Sequence, residues 1–388
     1  MNKPTLSENI FKIIAVTFRI LVGLVFIFSG FVKAIDPLGL TYKLQEYFIV
    51  YYIQWLSPLA LCIAIFFCML EFVTGVALLF NLRVKIFSWL ALGLMIFFTI
   101  QTYFSAIFNL VSDCGCFGDA IHLTNWQTFY KNVVLIILTF FIFSYRKKYK
   151  SILTIKGQSI FPAIAIAFIL LISVYCYRHL PLIDFLPWKV GNKISEQVVP
   201  TPEVAKIYLV YKNTTTGETK EFTTEEYTKS GVWKDSLWMK NWKFVEQKKE
   251  IITPFKDAPI HDFKIIDQNG KDHTDAVINQ PNYNFLLIAH SLEKTNKKAF
   301  LKINNFVKQC DAENIIFIAL TATSFDKIDY FRHDVQAMYD FYNVDETALK
   351  TMIRSNPGLI LLKNGTVIAK WHYNDFPELN YVKEKYFK

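Results

Sequence analysis

Arg146–Arg178 reads RKKYKSILTIKGQSIFPAIAIAFILLISVYCYR, and this stretch decides how the rest of the chain is arranged. A basic cluster, Arg146, Lys147, Lys148, Lys150 and Lys156, stands directly before an apolar run from 158 to 178. A run near the ~20 residues that cross a bilayer reads as a transmembrane helix. Its basic preface marks the end that stays in the cytoplasm. Four more such runs lie upstream, at about 11–32, 55–80, 86–108 and 126–145. The first is too long for the apolar core of a signal peptide and no small-residue cleavage site follows it, so it is expected to be retained.

Working outward, Arg83 and Lys85 join spans two and three and belong on the same side as the basic cluster. The loop 109–125 carries Asp113 and Asp119 but no Lys or Arg, and falls on the opposite side. Five spans put the N-terminus in the cytoplasm and everything after 178 outside it, in a periplasm where one exists. The expected location is the cytoplasmic (inner) membrane. The net charge of +9 is largely accounted for by the juxtamembrane cluster, so no nucleic-acid partner is implied. The predicted fold is an α-helical membrane bundle, four spans plus a fifth, followed by an extracytoplasmic α/β domain. The expected boundaries are 1–150 for the bundle, 151–190 for the fifth span and its juxtamembrane segment, 191–256 for a small hairpin region and 257–388 for the α/β domain.

Ionisable residues inside spans need partners. Arg19 and Glu71 both sit ~12–14 Å from the inner ends of their spans at 1.5 Å per residue. Arg19, Gly23 and Gly30 share one helix face, and Ala64, Cys68, Glu71 and Gly75 share another. Small residues allow close approach, so the two faces are predicted to meet with Arg19 paired to Glu71. Gln101 and Asn132 add polar groups that could extend this network towards the loop 109–125.

That loop carries Asp113–Asp119, DCGCFGD. Gly115 lets the chain turn so that Cys114 and Cys116 can meet. A disulfide across one residue closes a small, strained ring, which favours an oxidant over a staple. Asp113 and Asp119 oppose thiolate formation. Three readings stand: an exchange-competent pair, a static disulfide or packed thiols, and a metal site with His122 that lacks a clear fourth ligand. Cys62, Cys68, Cys176 and Cys310 read as packed thiols.

Together, RILVGLVFIFSGFVKAIDPLG in span one, LEFVTGVALL in span two, DCGCFGD and TFYKNVVLIIL resemble the DoxX/MauE family of small four-helix membrane proteins, over residues 11–145. The resemblance implies a redox-associated role in disulfide maturation of exported enzymes beside a thioredoxin-like partner. Its matched positions are Arg19, Lys33, Asp36, Glu71, Cys114 and Cys116.

Downstream, KIYLVYK and KEFTTEEY flank TTTGET as a hairpin, with Trp233, Trp238 and Trp242 after it, as core packing or at the lipid surface. From 257, a hairpin on Asn269–Gly270, strand FLLIAH, helix KKAFLKINNFVKQC, strand IIFIAL, a helix at about 326–340 and the hairpin LILLKNGTVIAKW follow in turn. SNPGLILLKNG resembles the thioredoxin segment that begins with a cis-proline, here Pro357, and the likeness is to the TlpA/peroxiredoxin branch. The thioredoxin CxxC has no counterpart, since FLLIAH leads into SLEKTNKK, and His290 and Ser291 there have no identifiable triad partner. The predicted function is therefore redox-associated, with Cys114 and Cys116 as the candidate pair and Lys33, Asp36, Gln101 and Asn132 in support. The α/β domain would hold an exported client or a separate thioredoxin-like partner. No cofactor is evident, and a membrane quinone is the candidate acceptor although no quinone site is legible. The alternative is a non-catalytic scaffold or binding protein of the cell envelope. A transporter fits less well, because the spans lack a continuous polar path.

Overall fold

Among the described residues, five helical stretches are long and apolar enough to cross a bilayer: Ile10–Ile35, Gln54–Leu79, Val84–Phe108, Asn125–Tyr145 and Gly157–Arg178. The computed structural model describes residues 6–111, 115–149, 151, 153–198, 202–253, 255, 258, 260 and 263–387. They divide into one unit of Met1–Gly191 with Lys264–Lys388 and a second of Asn192–Phe263.

The first unit begins with α1 (Leu6–Ile35), α2 (Pro37–Val50), α3 (Ala60–Leu79), α4 (Val84–Phe108), α5 (Asn125–Tyr145) and α6 (Gly157–Arg178). α2 lies within 33–54, the connection between the first two expected spans, where no helix is predicted from the sequence. Its start is nonetheless written in the sequence: the Asp36 side chain accepts from Gly39 N at 2.9 Å, and Pro37 fills the first helical position. α1 and α3 meet along the small-residue faces. A Cβ on Gly30 would lie 2.7 Å from Phe72 N, and one on Gly75 only 2.6 Å from Ile27 N. The backbones touch, which is how helices gain packing where lipid offers no hydrophobic drive.

The second unit has α7 (Ile194–Gln197), β1 (Val204–Asn213), β2 (Thr219–Thr223), α8 (Thr224–Ser230), α9 (Ser236–Asn241) and β3 (Trp242–Thr253). β1 and β2 are the expected hairpin, and β3 joins as a third antiparallel strand in the order β2-β1-β3. Trp238 stacks on Trp242 at 6.0 Å and packs edge-on to Tyr211 at 4.8 Å, so these two indoles belong to the packing of this sheet.

The first unit resumes with α10 (Thr274–Ile278), β4 (Tyr283–Ile288), α11 (Phe300–Ala312), β5 (Ile316–Thr321), α12 (Phe325–Val335), β6 (Phe341–Asn343), α13 (Glu346–Met352), β7 (Gly358–Lys363), β8 (Thr366–His372) and α14 (Leu379–Tyr386). The sheet order is β6-β5-β4-β7-β8, with β4, β5 and β6 parallel and β7 and β8 antiparallel. Buried runs in β4 and β7 put both strands inside the sheet. Phe285 of β4 meets Phe306 of α11 edge-on at 4.9 Å inside the main apolar cluster. Asn364 and Gly365 both take positive φ, the turn a two-residue hairpin needs. The hairpin expected at Asn269–Gly270 is reduced to one bridge, Ile266 to Asp272. Asp267 explains this: its carboxylate takes the amides of Asn269 and Lys271 and closes the turn locally.

His372 ends β8, 2% exposed, and its Nδ1 accepts from Asn374 N at 3.1 Å. Burial pushes its pKa from 6.5 down to about 4. The unfolded chain therefore takes this proton near pH 6.5 and the folded protein only near pH 4, so stability falls as pH drops through that window and is level above it. The loss at the acid end is expected to be on the order of 3 kcal/mol. Thermal unfolding of the wild type and H372Q between pH 4 and 8 checks this. A wild-type slope that survives unchanged in H372Q would belong to another group.

Candidate functional site

Ser29 and Lys33 are four residues apart on α1 and therefore share a helix face. Opposite them on α3 stands Glu71. Lys33 Nζ donates to Glu71 Oε1 at 2.6 Å and to Oε2 at 2.9 Å, with both side chains almost wholly buried. Ser29 Oγ lies 2.7 Å from Glu71 Oε2 and 2.9 Å from the backbone oxygen of Cys116. The cysteine loop is thus seated directly on the intramembrane charge pair. Phe117 fixes it further, edge-on to Phe28 at 5.5 Å and under Lys131 Nζ at 4.2 Å. Cys114 and Asp113 lie outside the described residues, so the geometry of the expected Cys114–Cys116 pair is not part of this description.

Glu71 pairs with Lys33 and not, as the depth argument expected, with Arg19. Arg19 Nη1 donates to the backbone oxygens of Leu78 and Leu79, the latter at 3.2 Å, and the guanidinium lies over Tyr149 at 5.5 Å. The antiparallel register is the reason. Gly23 packs against Gly75 and Leu79, and Gly30 against Cys68 and Phe72. That sets Glu71 level with Ser29, and Arg19 beyond Gly23 at the carbonyl end of α3, where a cation is favoured. Gln101 accepts from Tyr51 at 3.2 Å, while Asn132 donates to Thr102 Oγ1 at 3.1 Å and to the Phe98 oxygen. These bonds tie α4 to α5 and to the end of α2.

Arg354, between α13 and β7, closes the site from the α/β region. Its Nε reaches both Asp36 oxygens, at 2.8 and 3.0 Å, and Nη2 reaches Asp119 Oδ2 at 2.6 Å. The arginine side chain is 5% exposed, and its guanidinium lies over the Tyr42 ring at 5.6 Å. Burial works against its charge, but Asp36 and Asp119 outweigh that and hold its pKa above the ordinary value. Burial also pushes the Tyr42 phenol up to about 12. Gly39 leaves the space this needs, since a Cβ there would lie 2.9 Å from Arg354 Nη2. One cation from late in the chain thereby joins the α1–α2 corner to the cysteine loop. No motif around Arg354 announces this, because its partners are 318 and 235 residues away.

Beside Arg354, the Asn356–Pro357 bond is cis. Asn356 Nδ2 donates to the backbone oxygen of Ser291 at 2.9 Å, so the turn after β4 lies next to Pro357. His290 is buried there, edge-on to Tyr42 at 6.1 Å and 3.8 Å from Glu346. His290 and Lys350 hold the Glu346 carboxyl down at about 2. Cys310 is remote from this turn in sequence and fully buried in the last turn of α11, and burial pushes its thiol up to about 12. Cys68 and Cys176 are buried in α3 and α6, and Cys62 is exposed on α3. Among the described residues, no group of three His, Cys, Asp or Glu side chains is placed to hold a metal ion.

Five apolar spans, a buried ion pair among them and an appended α/β region define a multi-span membrane protein. Residues 11–145 match the family model of methylamine utilisation protein MauE, which covers α1 to α5 and includes both loop cysteines. No curated protein and no solved structure matches the chain.

Proposed function

We propose that this protein is a membrane-bound thiol–disulfide exchange factor in which Cys114 and Cys116 are the redox pair. The carrying observation is the seat of the cysteine loop: the Cys116 backbone is held by Ser29 against the Lys33–Glu71 pair, and Asp119 is clamped by Arg354. The match to MauE over the same segment supports this reading. The loop and the C-terminal region face away from the cytoplasm, on the argument that the basic 146–156 connection faces it. In the oxidising direction, an exported client's two thiols lose two electrons and two protons and become a disulfide. The loop disulfide takes up those electrons and protons and becomes two thiols. A quinone in the bilayer then accepts two electrons and two protons, leaving a quinol and the restored disulfide. The C-terminal region is a thioredoxin-like domain without its dithiol, a reading supported by its strand order and mixed strand directions. It acts in this scheme as the platform that brings the client or a separate redox partner to the loop.

Thiol trapping in intact cells tests the proposal. The Cys114–Cys116 peptide should shift between reduced and oxidised forms when the oxidising or reducing capacity of the envelope is changed. A fixed oxidation state under all such conditions defeats it. A scaffold role would be indicated instead if C114S/C116S cells kept wild-type disulfide patterns in their exported proteins.

A further inference from the structure

The Lys33–Glu71 pair lies at the floor of the cysteine loop and is too well built to be incidental. Both side chains are almost wholly buried, and a charge pair inside a membrane bundle is costly to maintain. Its hydroxyl neighbour Ser29 touches the Cys116 backbone at 2.9 Å. Lys33 Nζ is also close enough to interact electrostatically with the Cys116 and Cys68 thiols. The pair's two charges are therefore held at a set place close to Cys116, where low dielectric makes them count.

We propose that Lys33 and Glu71 act as opposed positioning residues that set the ionisation of Cys116, Lys33 favouring the thiolate and Glu71 restraining it. This deepens the exchange reading above and rests on it for its biological use. Opposition follows from Coulomb's law alone. Removing the ammonium leaves a bare carboxylate near Cys116, and removing the carboxylate leaves a bare ammonium. Other charged or titratable groups bear on the loop. Asp113 and Asp119 lie within it, Lys131 sits over Phe117, Asp36 and Asp119 bracket Arg354, and Cys68 is near Lys33. Arg354 is committed to two carboxylates, and Cys68 is buried against the α1 backbone at Gly30. Lys33 and Glu71 are thus the intramembrane charges whose removal moves Cys116 in opposite directions.

The test uses the purified, reduced full-length protein in detergent, in a C114S background so that the loop holds one thiol. Iodoacetamide alkylation of the Cys116 peptide is followed by mass spectrometry from pH 6 to 10. K33M should move the midpoint up and slow alkylation near pH 7 about tenfold, the effect of one pKa unit. E71Q should move it down and speed alkylation by a similar factor. K33M/E71Q should return most of the way to the C114S parent. Loss of packing alone would open the loop in both single variants and shift them the same way. Shifts of the same sign, or no shift in either, overturn the proposal. If K33M does not fold, the comparison of E71Q with K33M/E71Q carries the test, and equal midpoints there overturn it. The measurement does not depend on cycling in cells. A fixed oxidation state by trapping would defeat the exchange reading, and leave the sign pattern to stand or fall separately.

Discussion

R354M is expected to cost about 3–5 kcal/mol of stability, the usual consequence of removing one member of a buried charged cluster. The methionine would fill most of the volume. It would leave Asp36 and Asp119 facing each other with no cation, in a place where the Arg354 side chain is now 5% exposed. The repulsion falls on two elements at once, the α1–α2 corner and the cysteine loop. The expected signs are a lower unfolding temperature in detergent and faster limited proteolysis of the C-terminal region. Adding D36N and D119N to R354M should recover most of the loss, because an uncharged cluster carries no desolvation penalty. A single R354M variant within 1 kcal/mol of wild type would remove the clamp from the account.

Gly75→Val should do damage of similar size by a different route. A side chain there would meet Ile27 N at 2.6 Å and the Gly23 oxygen at 2.7 Å, and both are backbone atoms that cannot turn aside. α3 must then move off α1, and the Lys33–Glu71 contact stretches with it. A loss of about 3 kcal/mol or more is expected, at the upper end for overpacking, seen as poor recovery of folded protein. Gly93 on α4 is the control. Nothing lies within 4 Å of a Cβ built there, so Gly93→Val should change stability little. Equal behaviour of the two variants would falsify the close-contact argument.

The five spans were legible because length and apolarity are properties of a single segment. The continuously buried apolar runs of β4, β5 and β7 were legible for the same local reason. The small-residue faces of α1 and α3 could be read too, since helical periodicity puts Gly23 with Gly30 and Cys68 with Gly75. What failed was register. Counting depth from apparent span ends assumed that the start of α1 lies level with the end of α3, and α1 in fact starts at Leu6 and overshoots that end. Arg19 therefore lands on the Leu78 and Leu79 carbonyls, and Glu71 falls to Lys33, which had been read only as a supporting residue. α2 was missed although Asp36 and Pro37 form a recognisable helix start, because its apolar pattern is weak beside the spans around it. The Arg354 clamp was out of reach altogether. Long-range ion pairs leave no periodicity and no motif, and only the folded chain brings residues 36, 119 and 354 together.

Ser29 carries a single hydroxyl hydrogen and stands within bonding distance of two acceptors, a Glu71 oxygen and the Cys116 carbonyl. It can serve one of them at a time. Turning the O–H from one to the other moves no heavy atom, yet it takes a hydrogen bond from the carboxylate and gives it to the loop, or the reverse. Whatever increases the demand of one acceptor lowers the supply to the other. The electrical state of a carboxylate inside the bilayer and the tethering of a loop at its rim are therefore two readings of one rotor.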